Sequence, residues 1–316
     1  MSRLPSAPHT SFSPLRSTDA IPAPPAPYAI DTRFARRKAD RAAPGYADHA
    51  RLELEVGNRM LERLDYVKLA ARRVLDAGSG PSPQAAQLAR RYPGALLVAL
   101  DFSISMLRQV KSQSLLDRMV GKGRRVAVCA DIGRLPFALR SFSLVWSNMA
   151  LHWASDLQSA VAEFHRVLDV DGLLMFSTLG PDTLKELRTA WSGEAEPPRV
   201  HGFIDMHDLG DMLVAAGFAA PVMDTETITL TYADIEALMA DLRVTGQVCA
   251  LQSRTRGLLG RRRWRQVREK MEQGRRDGRL PVTIEVVYGH AWKPAPQVTS
   301  EGHAIVQLPR RPKVRN

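Results

Sequence analysis

The feature that most constrains this chain is the run Val74-Leu75-Asp76-Ala77-Gly78-Ser79-Gly80, answered at residues 97–101 by Leu97-Val98-Ala99-Leu100-Asp101. Both runs are apolar on each of their alternating faces, as strands buried inside a parallel sheet must be. The first ends in an acid and a tight Gly-x-Gly turn, and the second ends in a lone acid. Between them Gln84 to Tyr92 reads as a helix closed by Pro93-Gly94. The unit is a βαβ crossover. Its glycine turn lets a ligand approach the backbone, and its second acid is placed to meet a ribose.

The same rhythm continues. Ser103 is a candidate N-cap for a helix carrying Met106, Leu107 and Val110. Arg125–Cys129 and Ser143–Ser147 read as strands three and four, and Gly172–Ser177 as strand five, preceded by a helix with Leu157, Val161, Phe164 and Leu168. Upstream, Leu52, Val56, Met60, Leu64 and Val67 fall at spacings of three or four, which predicts a helical segment over 48–70 with one apolar stripe. Strand–helix alternation over 73–180 predicts an α/β fold: a doubly wound, mostly parallel sheet with helices on both faces. Later, Pro181–Trp191 reads as helical and Asp205 caps a helix that stops at Gly217. Val222–Leu230 and Val282–Tyr288 supply two more strands, for seven in all. Thr231 is expected to cap a further helix, and residues 247–280 to be basic and helical. The segments 181–203 and 231–280 exceed what crossovers need and read as helical lid or substrate-binding insertions on a 71–180 core.

Residues 1–30 hold seven prolines among Ser and Ala, which predicts disorder, and 297–316 form a basic tail. Arg3 and Arg16 with no acid before Asp19 hint at a transit peptide, but the proline density argues against one. No apolar run approaches the roughly 20 residues that span a bilayer, so a soluble, cytoplasmic protein without a membrane span is expected. Cys129 and Cys249 have no ligand-like spacing, so no metal site is expected. The formal charge of +11 favours acidic partners.

The cofactor follows from what the glycine turn lacks. Pro83 stands where a dinucleotide site needs a bare backbone, and no Gly-Lys-Ser/Thr serves a triphosphate. Asp76 beside the turn repels phosphate but suits a cationic, amino-acid-like ligand. With Asp101 and Asp131-Ile132 in order, residues 73–180 resemble the class I S-adenosylmethionine-dependent methyltransferases, Rossmann-like proteins with a seven-stranded sheet. The resemblance implies S-adenosylmethionine as cofactor. Gly78 and Gly80 then pass its methionyl part, Asp101 takes the ribose hydroxyls, Asp131 the adenine amino group, Ile132 lies near the ring, Asn148 borders the methyl donor, and Met106 is a further cofactor-binding residue. Pro81-Ser82-Pro83 departs from the pattern.

Beyond the cofactor motifs, four segments resemble a narrower family, the malonyl-acyl-carrier-protein O-methyltransferases of biotin synthesis. They are Val56–Leu64, Phe176–Arg188, Phe203–Asp211 and Glu285–Trp292, within a match over about 48–296. That resemblance implies methylation of an already ionised carboxylate, with no essential catalytic residue. His152 and Arg188 are the candidates to contact the carboxylate, while Trp191 and Tyr288 read as packing residues. The acidic carrier protein would dock on Arg261, Arg262, Arg263 and Arg265. Two alternatives are an arginine-hydroxylating complex I assembly factor in mitochondria and a non-catalytic fold-mate. Ser147-Asn148-Met149-Ala150 replaces the Asn/Asp-Pro-Pro-aromatic motif, so no nucleic-acid substrate is expected.

Overall fold

The computed structural model describes residues 29–110, 124–191, 198–257 and 259–296. Most of the proline-rich segment, residues 192–197 and the basic tail 297–316 lie outside them. A seven-stranded sheet runs in the order β3-β2-β1-β4-β5-β7-β6. Its strands are β1 (Arg73–Ala77), β2 (Leu96–Asp101), β3 (Arg125–Cys129), β4 (Phe142–Ser147), β5 (Leu168–Leu179), β6 (Ala219–Tyr232) and β7 (Leu280–Trp292). The first five pair in parallel, while β7 enters antiparallel between β5 and β6.

Alternate residues of the central strands feed two cores. Leu75, Val98, Val145 and Leu174 face one side and pack with α6 (Leu157–Val167) and α8 (Met206–Ala215) through Val161, Phe164, Leu209 and Leu213. Val74, Leu97, Leu144 and Leu173 face the other, against α3 (Arg51–Leu64) and α4 (Ala85–Arg91). Val56, Met60 and Leu64 of the predicted stripe are fully buried. Ser103 caps α5 (Ile104–Leu107) by accepting the Met106 N–H at 3.1 Å.

A third cluster lies beyond the sheet. Here α7 (Lys185–Trp191), α9 (Ile235–Val244) and α10 (Arg261–Glu272) pack around Leu187, Ile235, Leu238, Val267 and Leu280. Two expectations are corrected in this region. β6 continues through Tyr232, so Asp234 and not Thr231 caps α9, its side chain accepting the Ala237 N–H at 2.7 Å. Within 247–280 the helix covers Arg261–Glu272 only. The described residues before it are irregular and meet the start of the described chain, through an Ile30–Leu251 bridge and Asp31 N–H to Ala250 O at 2.7 Å. That start leads into α1 (Thr32–Ala42), which the sequence pattern did not suggest, and then the short α2 (Tyr46–His49).

Among the described residues no helix is long and apolar enough to cross a membrane. Lys293, just past β7, is buried at 6% exposure and donates from Nζ to the carbonyls of His165 and Leu168, both at 2.8 Å. It closes the exit of α6, where carbonyls otherwise lack partners. Lys293→Met should therefore lower the unfolding free energy by about 1–3 kcal/mol in denaturant titration; an unshifted midpoint would deny it that role.

Candidate active site

The five parallel strands end on one side of the sheet, and the loops leaving β1, β2, β3 and β4 enclose a cleft there. After β1 the chain turns through Gly78 and Gly80, at φ +73° and +52°. These are left-handed values that glycine adopts without strain. A Cβ on residue 78 would sit 2.2 Å from that of Ala150, so glycine also lets the β1 and β4 loops touch. Asp101 closes the other wall, accepting the Gly80 N–H at 2.9 Å and the Ser103 N–H at 2.7 Å.

Pro81-Ser82-Pro83 has a structural use. Ser82 is held at φ +53° between the prolines, and its hydroxyl donates to Asp76 Oδ2. The loop thus supplies the buried acid with a donor, and both prolines line the cleft.

All eight predicted cofactor residues line this one cleft: Asp76, Gly78, Gly80, Asp101, Met106, Asp131, Ile132 and Asn148. Burial pushes Asp76 up to about 7, opposed by the Ser82 hydrogen bond and reinforced by the Asp101 charge. Asp101 is likewise raised by burial, to about 6, against the Ser103 and Gly80 N–H groups. Asp131 Oδ1 accepts the Gly133 N–H at 2.8 Å. Asn148 is pinned on both ends: Nδ2 donates to Glu53 O and Oδ1 accepts from Ser177 Oγ, each at 2.8 Å.

The cleft is covered by residues that sequence reasoning missed. Thr32, Ala35 and Ala39 of α1 form one cover, and Thr245, Gly246 and Gln247 the other. The covers are latched together by the Asp31–Ala250 hydrogen bond and by an Arg254–Asp31 ion pair at 3.0 Å, with the Arg254 guanidinium 3.9 Å over the Phe34 ring.

A second, mainly apolar cavity adjoins the first and shares Met149, Trp153 and Gln247 with it. Leu179, Leu187, Trp191, Phe203, Met239 and Trp264 are among its walls. Trp191 is therefore a cavity wall, where packing alone was expected, while Tyr288 is a packing residue beneath the Arg63 guanidinium. Met149, at φ +53°, is held in the left-handed region by N–H bonds to Ser177 O and Oγ at 3.1 and 3.0 Å. A non-glycine residue kept there marks a site that the surrounding fold over-determines.

The two carboxylate candidates sit elsewhere. Arg188 spends its guanidinium on the carbonyls of Pro181, Thr183 and His201, at 2.7, 2.9 and 3.3 Å, and lines neither cavity. His152 borders a smaller cavity with Thr178 and Phe203, its Nδ1 3.4 Å from Thr178 Oγ1. Burial, with the nearby His201, pushes it down to about 3, so its imidazole is neutral near pH 7 and carries no charge for a carboxylate. Arg199 and Arg243 are the arginines that line the second cavity among the described residues. On α10, Arg261, Arg262 and Arg265 are exposed, but Arg263 turns inward and donates to Trp191 O at 2.8 Å.

Carboxylates, a glycine turn and apolar walls at Met106 and Ile132 fit a ligand with a cationic amino-acid end, a ribose and a flat base. S-adenosylmethionine has these parts. Comparison with known proteins agrees in kind. A family described as a methyltransferase domain matches residues 75–176. A malonyl-[acyl-carrier protein] O-methyltransferase of Gallionella capsiferriformans is 50% identical over 281 residues, covering 89% of this chain and 97% of that protein. Its counterpart in Methylovorus sp. is 53% identical over 283 residues, covering 89% and 96%. Among solved structures, the YcgJ protein of Bacillus subtilis shares the fold at TM-score 0.53 and 16% identity, over 76% of this chain and all of that one.

The raised carboxylates set a pH dependence for cofactor binding. A cationic ligand binds their ionised forms, so protonating them through pH 7 to 6 opposes binding. Calorimetry should find S-adenosylmethionine bound roughly tenfold more weakly at pH 5.5 than at pH 8, with proton release near neutrality. A flat affinity would mean that these acids do not contact the cofactor.

Proposed function

The chain belongs to the malonyl-[acyl-carrier protein] O-methyltransferase family, and from that premise we propose that it converts the free carboxylate of malonyl-acyl carrier protein to its methyl ester, priming pimeloyl and biotin synthesis. The observation that carries this reading is the meeting of two cavities at Met149, Trp153 and Gln247, one lined with acids and one apolar. A group held in the first can be passed to an acyl chain held in the second. The relatives' names favour this reading over the assembly-factor and non-catalytic alternatives.

When bound, S-adenosylmethionine supplies an electrophilic methyl group on a sulfonium. Asp101 is suited to the ribose hydroxyls, Asp131 to the adenine amino group, Ile132 and Met106 to the ring faces, and the Gly78–Gly80 backbone to the methionyl part. The malonyl carboxylate is ionised near neutral pH and needs no general base. The chain's task is alignment and exclusion of water. Both covers of the cleft serve exclusion, and the rigid Met149 and pinned Asn148 serve alignment. A neutral His152 is compatible with this chemistry, because no proton has to move. Arg199 and Arg243 give the apolar cavity a positive potential for the acid end of the substrate.

The carrier is acidic, and the place proposed for it is the outer face of α10. Leu259 and Trp264 line the apolar cavity, so this basic helix stands at the cavity's rim. Arg261, Arg262 and Arg265 face outward there and can receive the carrier while its acyl arm enters beside Trp264. Such a carrier-bound substrate is met in the cytoplasm. Replacing these three arginines together by Ala should raise KM for malonyl-acyl carrier protein about tenfold and leave that for a malonyl thioester lacking the carrier unchanged. An equal loss for both substrates would remove the docking face from the reading, and no methyl transfer by the intact protein to either would remove the reading itself.

A further inference from the structure

The cofactor cleft contains a third carboxylate that the strand-end motif does not account for. Glu53 lies in the first turn of α3, is 7% exposed and lines the cleft with Asp76 and Asp101. Its Oε1 accepts from Gln247 Nε2 at 3.0 Å, and its backbone carbonyl holds the Asn148 amide. Among the described residues Glu53 has no ion-pair partner. A buried carboxylate without a cation is costly, and burial with the Asp241 charge raises its pKa.

Its position says which cation would relieve that cost. Gln247 is one of three residues that face both cavities, and Asn148 immediately precedes another of them, Met149. Glu53 therefore stands at the seam across which a methyl group must pass. Resting on the reading that this cleft takes S-adenosylmethionine, we propose that Glu53 is the counter-charge to the sulfonium and makes the cleft prefer the methylated cofactor to its demethylated product. On transfer, the S–C bond breaks, its electron pair stays on sulfur, and the new C–O bond forms to the acceptor carboxylate. The sulfonium becomes a neutral thioether and Glu53 loses its partner. Binding is thus weakened at the moment the product should leave. Asp101 and Asp131 would bind both cofactor forms alike, because neither the ribose nor the base changes.

The test is binding, measured by calorimetry on the full chain and on Glu53→Gln, which keeps the side-chain shape and an oxygen for Gln247. The wild type should bind S-adenosylmethionine more tightly than S-adenosylhomocysteine. It should also prefer sinefungin, whose protonated amine replaces the sulfonium, to S-adenosylhomocysteine. In Glu53→Gln both preferences should fall roughly tenfold, with S-adenosylhomocysteine affinity retained. Equal weakening of all three ligands, or no change in any, would overturn the proposal. If Glu53→Gln does not fold, the wild-type comparison decides: no preference for the two cationic ligands over the neutral one overturns it. A wild type that binds none of the three would instead overturn the cofactor reading on which it rests.

Discussion

The site depends on the adjacency of β1 and β4 at the point where the strand order turns. From β1 the chain moves outward through β2 and β3, and from β4 through β5 in the opposite direction. Their loops therefore part, and a crevice opens beyond their carboxyl ends. Two contacts fix its width. Gly78 lets the first loop approach Ala150 of the second, and the Asp76–Trp146 register keeps the strand ends level. Substituents on residue 78 would push these loops apart and displace Met149 with them. The residues that bind and the residues that align are thus positioned by the same pair of strands.

The molecule separates its charges by depth. Its formal charge is +11, yet the cleft is lined with buried acids, and the outward arginines of α10 lie at the rim of the neighbouring apolar cavity. A cationic cofactor and an acidic carrier substrate accordingly meet opposite potentials on one protein. The segments that resemble the narrower family hold this arrangement and do not themselves line the cleft. Glu285 accepts from Asp182 N at 2.7 Å, its backbone bonds Gly180 and Thr183, and Glu186 accepts from Thr283 N at 3.0 Å. These bonds fasten the start of α7 to β7 and so set where Leu187 and Trp191 stand in the cavity wall.

The strand ends were readable in the sequence because a parallel strand buried on both faces is apolar throughout, and polar residues at its end stand out. Asp76, Asp101 and Asn148 fall at such ends, Asp131 follows the half-exposed edge strand β3, and the structure gathers all four in one cleft. Helix α1 was hidden because its buried face rests on Ala35 and Ala42 amid Arg33, Arg36, Arg37, Lys38 and Arg41, which swamp any apolar period. Gln247 and Glu53 reach the site from segments distant in sequence, and neither is marked by local pattern. Arg188 shows the opposite limit. A cation near a functional loop is visible in sequence, but its hydrogen bonds to three backbone carbonyls are set only by tertiary packing. Thr231 lost the capping role to Asp234 for a similar reason, since pairing with β7 carries β6 past it.

Both cavities and the basic helix serve one proposed event, transfer of a methyl group to the malonyl carboxylate on the carrier protein. The most direct measurement incubates the purified protein with methyl-labelled S-adenosylmethionine and malonyl-acyl carrier protein, then follows label and intact mass on the carrier. The carrier should gain one methyl group that mild base removes as methanol. Cofactor binding without any label on the carrier, or label that resists base, would contradict it.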